Sequence, residues 1–464
     1  MLSPKTLLIV SVLIAMTEAE SSPPSLPVRV FGAFENVPER ESPNFVTDFA
    51  SKFPGPKGYS WPYPTYAART WISQQKDEIM IVCFADPVVK ATFKFRLNEQ
   101  KNATQFGTAV EYNFKLLDGP DQESTTLLQE MKTPEGTFTI LCVFEANGMK
   151  VTYKLGEKEA SRYYRRILPF LFDGTYENVP EKSENWEEFI SADKSLPRSH
   201  SDIKTIQFYR DRNTKYDVTS GLYSNASYYN RVIYASGYSV EFPFGITPDN
   251  RFANRTELAL PDGSLLKYSY TFTGGAKNVL RTVTEVVGSG KKIEVEATLD
   301  FAGIYVVYRR DSMEAKRFYR RVIPASVLGV YESNPDNEQF IAFATAIRSP
   351  ELLQKTTIEV AENPDHTYVQ RFTTGSEPTV DFPFVLGQHS VRTMKGRTVE
   401  YTYRYLDEAK PILSTSYQEK DGGPLKFDVI GVYGTDGYTA TYLFGDRLAS
   451  RTYTRKSPKA EVQA

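Results

Sequence analysis

Cysteine is scarce in this chain. Cys83 and Cys142 are the only two in 464 residues, too few for a disulfide framework or a four-cysteine zinc site. Histidine is almost as rare: His200, His366 and His389 stand alone, with no pair at metal-ligand spacing. No Gly-x-Ser-x-Gly elbow and no glycine-rich phosphate loop is present, and no two acidic residues stand out from a solvated face. These absences argue against an enzyme, a metal and a cofactor. Neither sign of charge dominates, since the formal net charge is -2, so the basic footprint of a nucleic-acid binder is missing. Beyond the N-terminus no apolar run is long enough to cross a bilayer. What the chain does hold in quantity is aromatic: 30 Tyr and 29 Phe. That is ample material for packed cores, and with Val and Thr it leans towards strands.

The first residues read as a targeting segment. Lys5 gives a positive start, "TLLIVSVLIAM" (6–16) an apolar stretch, and "TEA" (17–19) small residues at a cleavage point after Ala19. Residues 1–19 are therefore read as a signal peptide, and the mature protein as secreted. In an oxidising compartment Cys83 and Cys142 are either one disulfide or two buried thiols on separate strands; the sequence leaves both open. Asn-x-Ser/Thr occurs at Asn102, Asn225 and Asn254, candidate glycan acceptors in a secreted chain.

The chain repeats itself. "SRYYRRILPFLFDGTYENVPE" at 161–181 returns without a gap as "KRFYRRVIPASVLGVYESNPD" at 316–336. The second half of this block also occurs at "FGAFENVPE" (31–39), and its first half at "SRTYTRK" (450–456). The block is a seam between units, predicted at 28–169, 170–324 and 325–457, with a tail at 458–464. Few residues separate Arg166 from Gly174, so neighbouring units should pack closely. Each unit opens with a short strand and continues into an amphipathic helix: "NFVTDFASKF" (44–53), "NWEEFISADKSL" (185–196) and "NEQFIAFATAI" (337–347). Asn44, Asn185 and Asn337 are placed to cap those helices. Strand after strand follows, as in "RTVEYTYRYL" (397–406) and "GIYVVYRR" (303–310), with turns such as "DGG" between. A short helical piece followed by an antiparallel meander predicts a closed up-and-down β-barrel.

With these motifs in place, the chain resembles the fatty-acid-binding proteins. "GTYENVPEKSENWEEF" (174–189) resembles that family's first strand and first helix. "VDFPFVLGQHSVRTMKGRTVEYTYRYL" (380–406) resembles its mid-barrel hairpins, and "SRTYTRK" (450–456) its last strand. The resemblance implies an all-β fold with short helices: three tandem ten-stranded up-and-down β-barrels, each with a helix-turn-helix lid. It also implies a lumen for a fatty-acid-like hydrophobic small molecule. The family's second internal arginine has no counterpart here, where Cys142, Ala297 and Ile430 stand.

Arg-x-Tyr is the candidate for ligand chemistry. Positions i and i+2 of a strand share a face, so Arg162 points with Tyr164, Arg317 with Tyr319 and Arg451 with Tyr453. A guanidinium and a phenol together offer a carboxylate several donors. The resemblance implies that this pair holds a ligand's acid headgroup inside the barrel. The other readings are that these residues bond the chain's own backbone or acids, and that "RYYR" and "RFYR" are processing sites that release single barrels. At the level of the whole protein, a secreted carrier stands beside a ligandless protective or structural protein of the secretory heat-soluble kind.

Overall fold

The computed structural model describes residues 26–457 apart from internal stretches, the longest being 53–67, 193–202 and 245–255. The signal-peptide segment, the tail, Asn225 and Asn254 lie outside the described residues. Within them are three ten-stranded antiparallel barrel-like sheets in tandem and one small two-stranded ribbon, Tyr216–Asp217 with Leu222–Tyr223. Numbered within its own unit, each sheet has the same order, 4-3-2-1-10-9-8-7-6-5. Sequence alternation builds the strands. In Thr125–Thr133 buried and half-buried positions alternate, turning Leu127, Gln129 and Met131 inward. Each sheet wraps a hydrophobic core of its own.

Each sheet curls by joining its first strand to its last. Gly32–Asn36 pairs with Lys158–Ile167, Gly174–Asn178 with Met313–Val322, and Gly329–Ser333 with Arg447–Ser457. The two halves of the seam block are thus the last strand of one barrel and the first strand of the next. The opening glycine makes room for an arginine. A Cβ on Gly32 would stand 2.7 Å from Arg166 Nη1. That guanidinium donates to the Phe31 carbonyl at 2.7 Å, lies over the Phe34 ring, and is pulled down to about 10 by burial.

Among the described residues the hydrogen-bonded ladder does not run the full circle that a closed barrel, the sequence expectation, would give. Among the described residues no ladder joins the fourth strand to the fifth in any barrel. The fourth strands carry Pro243 and Pro383 in two of the three barrels, and proline, which has no N–H to give, belongs at a sheet edge. A tyrosine from the sixth strand spans the gap instead. Tyr112 donates to the Lys94 carbonyl at 3.0 Å, Tyr268 to Pro243 at 2.9 Å and Tyr401 to Pro383 at 2.7 Å.

The helix-turn-helix lids are described only in part. The described residues hold three α-helices, one per barrel: Phe45–Asp48, Trp186–Ser191 and Glu338–Ala346. The stretches that follow these helices, 53–67, 193–202 and 347–352, lie outside the described residues, so the second lid helix of each barrel is not described. Only Asn337 caps as expected, accepting from the Phe340 N–H at 2.8 Å. Asn44 and Asn185 make no capping bond. Their amides donate to the last strand, at Glu159 and Glu314, and so tie the helix start to the sheet.

The barrels dock through their short connections. The Leu168 N–H donates to Tyr228 Oη of the next barrel at 3.0 Å, and the Ile323 N–H to Tyr368 Oη at 3.1 Å. Trp71 of the first barrel packs against the core of the second. Arg210 of the second reaches Glu35 of the first at 2.8 Å, and Glu362 of the third meets Arg320 of the second at 3.2 Å.

Candidate functional site

The last strand carries Arg-x-Tyr into the barrel interior. Tyr164, Tyr319 and Tyr453 each belong to their own barrel's core. Each arginine lies against its own tyrosine and against an aromatic ring of the helix. Arg162 is over Phe45 at 4.4 Å, Arg317 over Trp186 at 4.3 Å and Arg451 over Phe340 at 5.1 Å. These contacts let a charged group sit among rings that prefer a cation on their faces.

Sequence reasoning missed half of each cluster. A second tyrosine, from the ninth strand, faces the first: Tyr153 with Tyr164 at 3.4 Å between hydroxyls, Tyr308 with Tyr319 at 3.2 Å and Tyr442 with Tyr453 at 3.0 Å. The separation is 11 residues in all three, a spacing readable in the sequence. A glycine sets the approach. A Cβ on Gly148 would meet the Tyr164 carbonyl at 2.1 Å, one on Gly303 that of Tyr319 at 2.1 Å, and one on Gly437 that of Tyr453 at 1.9 Å. Only glycine lets the ninth strand lie this close beside the tenth. Burial holds the phenols of Tyr153, Tyr319 and Tyr442 well above their ordinary range, so each remains a neutral donor.

The three arginines differ in their counter-ions. Arg162 Nε donates to Glu41 Oε2 at 2.6 Å, and its Nη1 to Tyr164 Oη at 3.2 Å. Burial opposes its charge, but Tyr164, Tyr153 and Glu41 outweigh that and hold it above its ordinary value. Arg451 pairs with Asp336 at 2.6 Å and donates to the Gln354 carbonyl at 2.9 Å. Arg317 has no carboxylate among the described residues. It is 4% exposed, and its Nε and Nη1 are buried without a hydrogen-bond partner.

The remaining predicted residues fall elsewhere. Cys83 and Cys142 are free thiols on the third and eighth strands of the first barrel, which do not pair. Burial pushes them up to about 11 and about 12, so neither is a ready nucleophile. Asn102 is exposed on its strand. The Arg-x-x-Arg stretches lie inside last strands paired on both sides, and Arg166 and Arg321 are buried. Among the described residues no group of acidic, histidine or cysteine side chains is arranged for a metal. No described helix is long and apolar enough to cross a membrane.

No protein-family model matches the chain, and no curated protein matches it. Solved structures do. A secretory abundant heat soluble protein from Ramazzottius varieornatus is 21% identical, covering 29% of this chain and 98% of its own, with a TM-score of 0.26. The Echinococcus granulosus fatty-acid-binding protein 1 is 17% identical over 29% of this chain and 100% of its own, TM-score 0.25. The Schistosoma mansoni fatty acid binding protein, solved in complex with arachidonic acid, is 17% identical over 30% and 96%, TM-score 0.24. Each similarity spans about one barrel of this chain. The chain is a tandem of three ten-stranded antiparallel barrel-like sheets, each with its first strand joined to its last, a helix after the first strand and, among the described residues, no ladder between the fourth strand and the fifth, an arrangement that fits a tandem fatty-acid-binding-protein-like repeat.

Proposed function

We propose that this protein is a secreted carrier or store of hydrophobic small molecules, fatty-acid-like in size, held inside its barrels. The observation that carries the reading is the repeated interior cluster of one arginine, two tyrosines and a helix aromatic. It puts a few directed donors within an otherwise apolar core, as a small-molecule site requires. Affinity and selectivity would then have separate sources. Burying some fifteen methylenes yields on the order of 10 kcal/mol gross at about 0.8 kcal/mol each. A hydrogen bond to a charged group adds ~1.5–3 kcal/mol. The apolar lining would thus hold the ligand, and the polar cluster would choose its headgroup and direction.

A second reading has its own support. The Arg162–Glu41 and Arg451–Asp336 pairs satisfy those guanidiniums within the chain. That favours a structural role in the outer barrels, as in a ligandless protective protein. Solvent extraction of protein purified from its natural secretion, followed by mass spectrometry, separates the two. The carrier reading expects co-purifying lipid. Lipid-free protein that also fails to take up oleic acid or methyl oleate overturns it.

A further inference from the structure

The middle barrel lacks the carboxylate that meets the last-strand arginine in each of its neighbours. Both the first and the second barrel run Glu-Asn-Val-Pro-Glu into a one-turn helix, Pro38–Arg40 in the first and Pro180–Lys182 in the second. The residue closing that turn is Glu41 in one and Ser183 in the other, with nearly the same backbone angles, φ -90 and ψ 139 against φ -86 and ψ 139. In the first barrel the Glu41 carboxylate accepts from Asn36 at 3.3 Å and from Arg162 at 2.6 Å. In the second the counterparts of those groups are stranded. Ser183 Oγ and Arg317 Nε and Nη1 are buried without a partner, while the amide oxygen of Asn178 is unpartnered just as that of Asn36 is in the first barrel. Trp186 replaces the phenylalanines of the other barrels against the arginine, and its indole Nε1–H is buried without a partner too.

Arg317 and Trp186 are donor-only groups, and the Ser183 hydroxyl can donate as well. Buried guanidiniums without a counter-charge need acceptors: Arg166 and Arg321 find them in backbone carbonyls, whereas Arg317 Nε and Nη1 find none, a state strongly disfavoured unless an anion meets it. The third barrel returns to the pattern of the first by another route, with Asp336 on Arg451.

We infer that the middle barrel is the acid-binding barrel of this chain. A ligand carboxylate takes there, against Arg317, Ser183 and Trp186, the position that the Glu41 carboxylate holds in the first barrel. The outer barrels, neutralised by their own Glu41 and Asp336, are closed to acids and left to neutral lipophiles. This inference rests on the carrier reading and specifies which barrel takes which ligand class.

The test counts ligands on the full chain. Oleic acid and methyl oleate are titrated separately, and bound equivalents are read by native mass spectrometry and calorimetry. The expected result is one equivalent of oleic acid per chain. Arg317→Met and Ser183→Glu should each lower it from one to zero. Ser183→Glu recreates a pair that the first barrel already folds around, so loss of binding there is not loss of fold. Glu41→Ser should raise the count from one to two. Three equivalents bound by the unaltered chain, or one equivalent surviving in both Arg317→Met and Ser183→Glu, overturns the assignment. Methyl oleate binding without oleic acid binding overturns it while sparing the carrier reading. Binding of neither ligand removes both.

Discussion

The two seams of the molecule use one scaffold with opposite polarity. At the first, Glu35 is the hub. Its side chain is 5% exposed, and it takes Arg69 and Arg165 from its own barrel and Arg210 from the next. At the second, the hub is Arg320, which takes Glu177 from its own barrel and Glu362 from the next, with His366 at 3.1 Å. Glu35 is equivalent to Glu177, and Arg165 to Arg320. The in-barrel Glu–Arg pair is thus common to both seams. What differs is the residue offered by the incoming barrel, Arg210 or Glu362, and the second-strand neighbour of the shared glutamate, Arg69 beside Glu35 but Thr205 beside Glu177. An ion pair has two ends, and each seam uses the end that the neighbour's charge selects. The repeated pair is addressed at each seam by the charges set around it.

Removing a hub is the harshest way to break the comparison. Glu35→Ala leaves Arg69, Arg165 and Arg210 around an empty centre. Stripping one partner from a buried ionic cluster costs ~3–5 kcal/mol, and denaturant unfolding should show a loss of that order. Arg320→Ala should be milder, because Arg320 and its carboxylates are 15–31% exposed and solvent screens what remains. Equal losses at the two seams would refute the difference in burial.

Next comes a purely steric break at the second seam. Gly387 has φ +74, and a Cβ there would stand 2.4 Å from the Phe301 Cβ of the middle barrel. Gly387→Ala forces both a left-handed backbone and a separation of the docked surfaces. Strain and overpacking are each worth ~1–3 kcal/mol. Small-angle scattering should show barrels two and three moved apart, with barrels one and two unchanged.

The connection tyrosines test what the seams share. Tyr228→Phe and Tyr368→Phe each leave a buried backbone N–H, of Leu168 or Ile323, without its acceptor. The expected loss is ~1–3 kcal/mol, similar at the two sites. Burial raises both phenols above their ordinary value near 10. With the folded value raised, their contribution is whole below about pH 10 and is lost as pH rises further, because the unfolded chain ionises first. Alkaline unfolding followed by tyrosinate absorbance should therefore begin above pH 10, and each phenylalanine variant should remove only its own phenol's share, since buried tyrosines such as Tyr153, Tyr319 and Tyr442 carry the same dependence.

Much of this was legible in the sequence because it is local or repeated. The seam block announced two strands end to end, and the short link after Arg166 announced close packing. Alternation in segments such as "GIYVVYRR" gave the strands, and i, i+2 spacing placed Arg317 with Tyr319. The illegible part is what folding brings together. Tyr308 meets Tyr319 only through the pairing of the ninth and tenth strands, although the 11-residue spacing was there to be found. The break after the fourth strand was hinted at only by Pro243 and Pro383. Glu41 against Ser183 could be aligned, but its meaning appears only once Arg162 and Arg317 are seen on the same spot. Asp336 aligns with Glu181 at the end of the seam block, and that it meets Arg451 appears only in the fold.

The smallest expected effect is the sharpest test of the seam comparison. Arg210→Glu places a second carboxylate beside Glu35, and simple like-charge repulsion predicts a large penalty. The second seam predicts otherwise, because there Glu362 occupies the equivalent position and is accommodated by Arg320, the counterpart of Arg165. If the scaffold is reversible, Arg165 turns from a satellite of Glu35 into the hub between Glu35 and the introduced carboxylate, and Arg69 still neutralises the far side. The loss should then stay near ~1 kcal/mol, the ordinary worth of a partly exposed pair, well below that of Glu35→Ala. A loss equal to or above that of Glu35→Ala would mean that the seams are separately built, and that the shared Glu–Arg pair is an accident of descent rather than a two-way connector.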